Sequence, residues 1–276
     1  MRHPATVETA PAKVNLTLHV TGRRDDGYHL LDSIVMFADV GDRLTVSSGA
    51  SRLDVHGPMA DGVPTGPCNL VMRAASLIGV EAAITLEKNL PASAGIGGGS
   101  SDAAACLRAL ARMTGRDVPD DSLTLGADVP VCVVAKAARM QGIGERVTPL
   151  GGMPTLDAVL VNPGVSVPTP AIFKRLQHHR NPPMPDPLPD FDTPEDLMRW
   201  LATQRNDLEA PAMAEAPVIA DVLQHLAVTR ACRLARMSGS GATCFGLYPD
   251  PQSAREAAAT LTRARPDWWV MPCRLS

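Results

Sequence analysis

Aromatic residues are scarce in this chain, with three Trp, two Tyr and four Phe among 276 residues. The core must then rest on Leu, Val, Ile, Ala and Met, and any exposed aromatic becomes a candidate for ligand contact. Net charge is also small, −3 at neutral pH. That excludes a broad basic field, so nucleic acid is not expected as a partner. No apolar run is long enough to cross a bilayer. The opening MRHPATVETAPAK lacks the apolar centre of a secretory signal, so no membrane partner is expected. There is no C-x-x-C pair either. Cys68, Cys106, Cys132, Cys232, Cys244 and Cys273 are scattered, some of them inside apolar runs such as VPVCVV. Such spacing suits reduced thiols in a cytoplasmic protein better than disulfides or a zinc site.

What is present is a mixture of strand and helix patterns. KVNLTLHV alternates Lys13, Asn15, Thr17 and His19 with Val14, Leu16, Leu18 and Val20, which predicts one strand with a polar and an apolar face. After the turn GRRDDG, YHLLDSIVMFADV reads as extended. DRLTVSS and SRLDVHG read as two further short strands, NLVMRAASLIG as a helix and EAAITLEK as a strand. SSDAAACLRALARMTG has helical spacing and ends at Gly115, a suitable C-cap. In the second half TLDAVLVNPG predicts a buried strand, and PTPAIFKRLQHH a helix with an early proline. NPPMPDPLPD predicts an exposed loop, and TPEDLMRWLATQ and PVIADVLQHLA predict helices. A strand, a glycine turn and a strand (ACRLARMSGSGATCFGLY), a helix and a last strand follow. The expected fold class is α+β in two domains, residues 1–154 and 155–276.

Five segments carry possible chemistry. In LPASAGIGGGSSDAAA, the glycines Gly95, Gly97, Gly98 and Gly99 lie between a strand and the first turn of a helix. Helix N-termini present unpaired N–H groups and a positive dipole end, and glycines let backbone wrap closely around an anion. Ser100 and Ser101 add hydroxyls there. Neither G-x-x-x-x-G-K-[ST] nor G-x-G-x-x-G is present, so a tight turn without a ligand stays open beside the phosphate cradle. Asp128 precedes the apolar run VPVCVV and Lys13 begins a strand. Each has an ordinary reading, cap and solvated surface lysine. Together they would form a pair fit for proton transfer. Tyr28 and His29, in GYH, are either a ligand platform or core packing. SGSGA, residues 238–242, is either a hairpin turn or a close backbone approach.

APAKVNLTL, DGYHLLDS, LPASAGIGGGSSDAAA, LGADVPV, NPGVSVPTPAIF, NDLEAPA and RMSGSGATCF occur in this order across most of the chain. Taken together they resemble the GHMP family of small-molecule kinases. The resemblance implies an N-terminal half like the ribosomal protein S5 domain 2 fold and a ferredoxin-like C-terminal half, with the active site between them. It implies transfer of the ATP γ-phosphate, with Mg2+, to an alcohol carrying a cytidine diphosphate, in the non-mevalonate route to isoprenoids. Pro91, Ala92, Ser93, Ala94, Gly95, Ile96, Gly97, Gly98, Gly99, Ser100 and Ser101 match its ATP-phosphate loop. Asn69 and Lys88 match positions near adenosine, Asp128 the catalytic base and Lys13 its partner. Asn15, Tyr28, His29, Thr169 and Phe173 match the cytidine side, with Tyr28 and Phe173 clamping cytosine. No carboxylate identifies itself as a dedicated metal ligand. Only DDSLT separates GRDVP from LGADVP, a shorter connection than the family pattern leads one to expect.

Overall fold

The computed structural model of the chain describes residues 5–92 and 94–276. The chain runs β1 (Thr6–Asn15), β2 (His19–Arg23), β3 (His29–Ser48), β4 (Arg52–His56), α1 (Leu70–Ile78), β5 (Ala82–Glu87) and α2 (Gly98–Thr114). It continues with α3 (Val129–Val134), β6 (Ala138–Gly142), β7 (Arg146–Pro149), β8 (Leu156–Asn162), α4 (Thr169–Arg175) and α5 (Pro194–Ala202). Last come α6 (Glu209–Glu215), α7 (Val218–Ala227), β9 (Leu234–Met237), β10 (Cys244–Tyr248), α8 (Pro251–Ala264) and β11 (Trp269–Leu275). The architecture is α+β.

Two compact units emerge, each assembled from separated segments. The first contains residues 5–13, Val40–Ala92 and Gly97–Ala135. Here β5 lies between the second half of β3, antiparallel from Arg43 opposite Glu87 to Ser48 opposite Ala82, and β4, parallel to it. Alternation in β5 puts Ala82, Ile84 and Leu86 inside. Helix α1 packs on α2, whose buried Ala103, Ala104, Ala105, Cys106 and Ala109 permit close approach. Asn69 caps α1 through its side chain, which accepts from Val71 N–H at 2.8 Å, and Gly79 ends that helix in the left-handed region. The short connection DDSLT falls in a 3-10 segment, Asp120–Leu125, that is kinked at Asp121 and buries Ser122 and Leu125.

The second unit contains Val14–Asp39, residues 94–96 and Lys136–Ser276. The first half of β3 pairs with β2 and β6, and β6 with β7. β8 lies antiparallel between β11 and β10, and β10 pairs with β9. The core gathers Val159, Val161, Ile172, Ile219, Val222, Leu226, Tyr248, Leu261 and Trp268 with Leu18 and Val20. The Tyr248 hydroxyl is satisfied by Thr229 Oγ1 at 2.7 Å.

Three expectations change. KVNLTLHV is not one strand, because β1 ends at Asn15 and β2 starts at His19. Thr17 Oγ1 accepts the Ile34 N–H at 2.9 Å and Leu18 N–H donates to Arg205 O at 3.0 Å, so the ladder is replaced locally. Its polar side is not solvated either: Lys13, Asn15, Thr17 and His19 are all buried. DRLTVSS is not a separate strand but the continuation of β3. Gly41 makes that continuation possible, since a Cβ there would collide with the Ala10 carbonyl. The proline-rich segment is a loop, yet it is pinned. Met184 is buried, and its N–H donates to Asp32 Oδ2 at 2.9 Å. Asp32 is itself held by a two-pronged bond from Arg139, at 2.8 and 2.9 Å.

Candidate active site

The glycine run expected to cradle phosphate leads into the start of α2. Gly97 is left-handed, with φ 64°, so that the chain turns from the loop into a helix whose first residue is Gly98. A Cβ on Gly97 would sit 3.3 Å from Lys13 Cβ and 3.4 Å from Lys13 Cε. Lys13 therefore lies against the helix start, and its Nζ makes an ion pair with Asp128 Oδ1 at 2.9 Å. The lysine is buried and the carboxylate is about one-third open, at 34% exposure. Asp128 precedes α3 without capping it, since its side chain makes no bond to that helix. Its oxygens thus remain for Lys13 and for solvent or a reactant. The ordinary readings of Lys13 as a solvated surface residue and Asp128 as a simple cap both give way to this pair.

Lys88 reaches the same helix from the end of β5. Its Nζ lies 3.3 Å from where a Gly98 Cβ would be. It is buried between two carboxylates, Asp42 and Asp102, bonding Asp102 Oδ2 at 2.9 Å and Asp42 Oδ2. Burial opposes the charged lysine, but Asp102 and Asp42 outweigh it and hold its pKa above the usual value. One ammonium cannot fully compensate two carboxylates. Burial, with Asp42 as a like charge, pushes Asp102 up to about 7 despite Lys88. Asp42 Oδ1 also accepts the N–H groups of Asn89 and Leu90 at 2.6 and 2.8 Å, which ties down the entry to the glycine run. Of the two serines, Ser101 spends its hydroxyl on Pro11 O at 2.5 Å, whereas Ser100 is half-buried at the helix start. Asn69 is occupied as the α1 cap and donates from Nδ2 to Pro64 O at 2.6 Å. Pro91 is half-buried and Ala92 exposed, and Ser93 lies outside the described residues.

In the second unit the earlier part of the glycine run meets the SGSGA loop. A Gly95 Cβ would come within 2.6 Å of Ser238 O and 2.8 Å of Gly241 N, and one on Gly239 within 2.7 Å of Gly95 O. The close backbone approach is therefore to the chain itself. Ser238 Oγ donates to Gly95 O at 3.0 Å and accepts the Asn15 N–H at 3.0 Å. Thr243 N–H donates to Ala94 O at 3.1 Å, and Ile96 is buried. Asn15 Nδ2 donates to Ser33 Oγ at 2.8 Å, while Asn15 Oδ1 is buried with no partner among the described residues. An acceptor so placed is costly without a donor, and a ligand hydroxyl or ammonium could supply one. Thr169 Oγ1 shares a hydrogen bond with Ser240 Oγ at 2.8 Å.

Tyr28 and Phe173 do not pair. Phe173 stacks on His29, with centroids 4.6 Å apart and planes at 18°, and Tyr28 projects outward with 60% exposure. His29 Nε2 is also 3.0 Å from His179 Nδ1. Burial, then His179 and Arg23, lower the His29 pKa. Asp42, Asp102, Ser33, Ser238, Ser240 and His179 were beyond sequence reasoning as individual site residues. Only the SGSGA loop carried a signal, its run of small residues.

A family model for the GHMP kinases N terminal domain matches residues 69–138, and one for the GHMP kinases C terminal region matches residues 186–267. The chain is similar to 4-diphosphocytidyl-2-C-methyl-D-erythritol kinase of Dinoroseobacter shibae, 64% identical over 265 residues, covering 95% of this chain and 92% of that one. It is 56% identical to the protein of the same name from Paracoccus denitrificans, covering 95% and 94%. A crystal structure of 4-(cytidine 5'-diphospho)-2C-methyl-D-erythritol kinase is similar with TM-score 0.81 and 36% identity, covering 98% of this chain and 99% of that one. A homoserine kinase from Cytophaga hutchinsonii shares the fold, with TM-score 0.63 and 14% identity, covering 99% and 94%.

Proposed function

The chain belongs to the GHMP kinases, and on that premise we propose that it transfers the ATP γ-phosphate to the 2-hydroxyl of 4-(cytidine 5′-diphospho)-2-C-methyl-D-erythritol, in the non-mevalonate route to isoprenoids. The single observation that carries the chemistry is the Lys13–Asp128 pair, 2.9 Å apart, against the glycine entry to α2. Phosphoryl transfer asks for positioned phosphates, neutralised charge and an acceptor for the alcohol proton. The free N–H groups at the start of α2, with Gly97, Gly98 and Gly99, suit the phosphates of ATP. Asp128 takes the hydroxyl proton as the oxygen attacks phosphorus, and Lys13, paired with it at 2.9 Å, orients the carboxylate and steadies the developing negative charge.

Mg2+ enters as the ATP complex. Bound with ATP, it would neutralise charge on the phosphoryl group being transferred. Asn15, His29, Thr169 and Phe173 take the cytidine diphosphate alcohol, the unpartnered Asn15 Oδ1 being the acceptor left for it. Tyr28 offers its exposed ring to the base. A cytoplasmic setting belongs to the same reading, supported by six free cysteines. Among the described residues no helix is long and apolar enough to cross a membrane.

The test is to incubate the purified protein with Mg-ATP and the cytidine substrate and follow phosphorus NMR. A new phosphomonoester at C2 with matching ADP is the expected result. Turnover of homoserine or mevalonate in its place would keep the kinase and move the substrate.

A further inference from the structure

We propose that His179 is a specificity-determining positioning residue, holding the His29 ring and fixing which of its nitrogens carries the proton that reads the pyrimidine edge. This rests on the cytidine assignment above. The argument starts from how little of the His29 ring is left free. One face is covered by Phe173, stacked at 4.6 Å with an interplanar angle of 18°. The Nε2 end is taken by His179 Nδ1 at 3.0 Å. The ring of His179 is tilted by 35° to it with centroids 5.1 Å apart, so the contact is an edge hydrogen bond and not a second stack. Nδ1 is therefore the one ring nitrogen of His29 that remains to address a ligand.

An N···N hydrogen bond contains one proton, so the two imidazoles cannot both donate. A cationic His29 would carry protons on both nitrogens and could not accept from its neighbour. Burial, His179 and the nearby Arg23 charge keep His29 below its ordinary pKa, which favours the neutral ring. In a neutral imidazole one nitrogen donates and the other accepts. When His179 Nδ1–H donates, His29 Nε2 accepts and His29 Nδ1 carries the hydrogen. That state offers a donor, which suits the bare N3 of cytosine and opposes the N3–H of uracil. The opposite state would place an acceptor there and invert the discrimination, opposing the bare N3 of cytosine and accepting from the N3–H of uracil. A rejected analogue leaves a buried polar group unpaired, so one proton position can separate two pyrimidines that are nearly the same shape. No signal in the chain marks His179 in advance. It sits in the QHHRN segment just after α4, at the end of the stretch PTPAIFKRLQHH that the sequence reads as helix.

The experiment uses the full chain with ¹⁵N-labelled histidines, as wild type, His179→Ala and His179→Asn. Long-range ¹H–¹⁵N spectra should show His29 protonated at Nδ1 in the wild type, and averaged between its two tautomers in His179→Ala. Steady-state kinetics should give a KM for the cytidine substrate raised about 3- to 10-fold in His179→Ala, the loss of one neutral hydrogen bond. The KM for ATP should not move, and preference over the uridine analogue should fall. Asparagine can place an N–H near the position of His Nδ1, so His179→Asn should restore the His29 tautomer and most of the preference. An unchanged His29 tautomer and an unchanged cytidine KM in His179→Ala would overturn the proposal, as would Nε2 protonation in the wild type. If the wild type turned over no cytidine substrate, the functional reading would fail on its own. The tautomer spectra would still decide whether His179 governs His29.

Discussion

At the scale of single residues the proposed chemistry turns on two side chains far apart in sequence and 2.9 Å apart in space, Lys13 and Asp128. Asp128→Asn keeps the shape and removes the proton acceptor. It should lower kcat by about 10²–10⁴ while ATP still binds, measured by steady-state rates beside calorimetric ATP titration. Activity near wild type would remove Asp128 from proton transfer. The glycines divide in a way their letters do not. Gly97→Ala would force a side chain into the left-handed region and against Lys13, at 3.3 Å. Gly95→Ala, also at positive φ, would drive a Cβ to within 2.6 Å of the Ser238 carbonyl, which is backbone and cannot swing away. Gly95→Ala should therefore lower the unfolding midpoint in urea more than Gly97→Ala does, whereas Gly97→Ala should act mainly on the KM for ATP. The glycine run was legible from composition and placement, whereas Asp128 by itself read as a cap and was singled out only by the resemblance to the GHMP kinases. Lys13 was legible only as a residue type, because its burial follows from packing under α2.

At the scale of elements, α2 is anchored at its entry by Lys88 between Asp42 and Asp102. Asp102 is held up at about 7 by burial, against an ordinary carboxylate value of 3.8. Between those values the folded protein binds more protons at this site than the unfolded chain. Its contribution is fully present below pH 3.8 and is lost as pH rises towards 7. Asp102→Asn removes that slope. Urea melts at pH 5 and pH 8 should show the variant gaining on the wild type as pH rises through that window. A constant difference at both would mean Asp102 is ionised throughout. The proline-rich loop makes a second case. Its composition announces a loop but not that Asp32 and Arg139 hold Met184 inside. Asp32→Ala would leave buried Arg139 with only the exposed Asp186, at 3.4 Å, as a carboxylate partner, at an expected cost towards the low end of about 3–5 kcal/mol by denaturant titration. Helix α2 was readable because its periodicity and Gly115 are local. The break in KVNLTLHV was not, since Thr17 and Leu18 bond to Ile34 and Arg205 from distant segments.

At the scale of the whole molecule, compactness is discontinuous in sequence. The chain changes unit after Lys13, Asp39 and Ala135, and twice around the start of the glycine run. Leu18 and Val20 belong to the core that Val161, Ile219, Leu226 and Trp268 build in the second unit. A fragment of residues 155–276 lacks them. It should show helical and strand circular dichroism but poor dispersion in a ¹H–¹⁵N spectrum, recovered when residues 1–154 are supplied. Native dispersion in the fragment alone would show that the early segment is dispensable to that core. What the sequence by itself determined through short spacing was the α+β class, the helix after the glycines and the hairpin around SGSGA, while the resemblance to the GHMP kinases came from the order of seven motifs along the chain. The short-spacing signals are local, because helix and strand periods and glycine turns are written within a dozen residues. Tertiary structure alone decided that Lys13 is buried, that Lys88 serves two carboxylates, that Gly95 meets Ser238 and that Phe173 stacks on His29. Each of those depends on burial and on contacts between remote segments, where desolvation and steric fit select one partner among many of the same type.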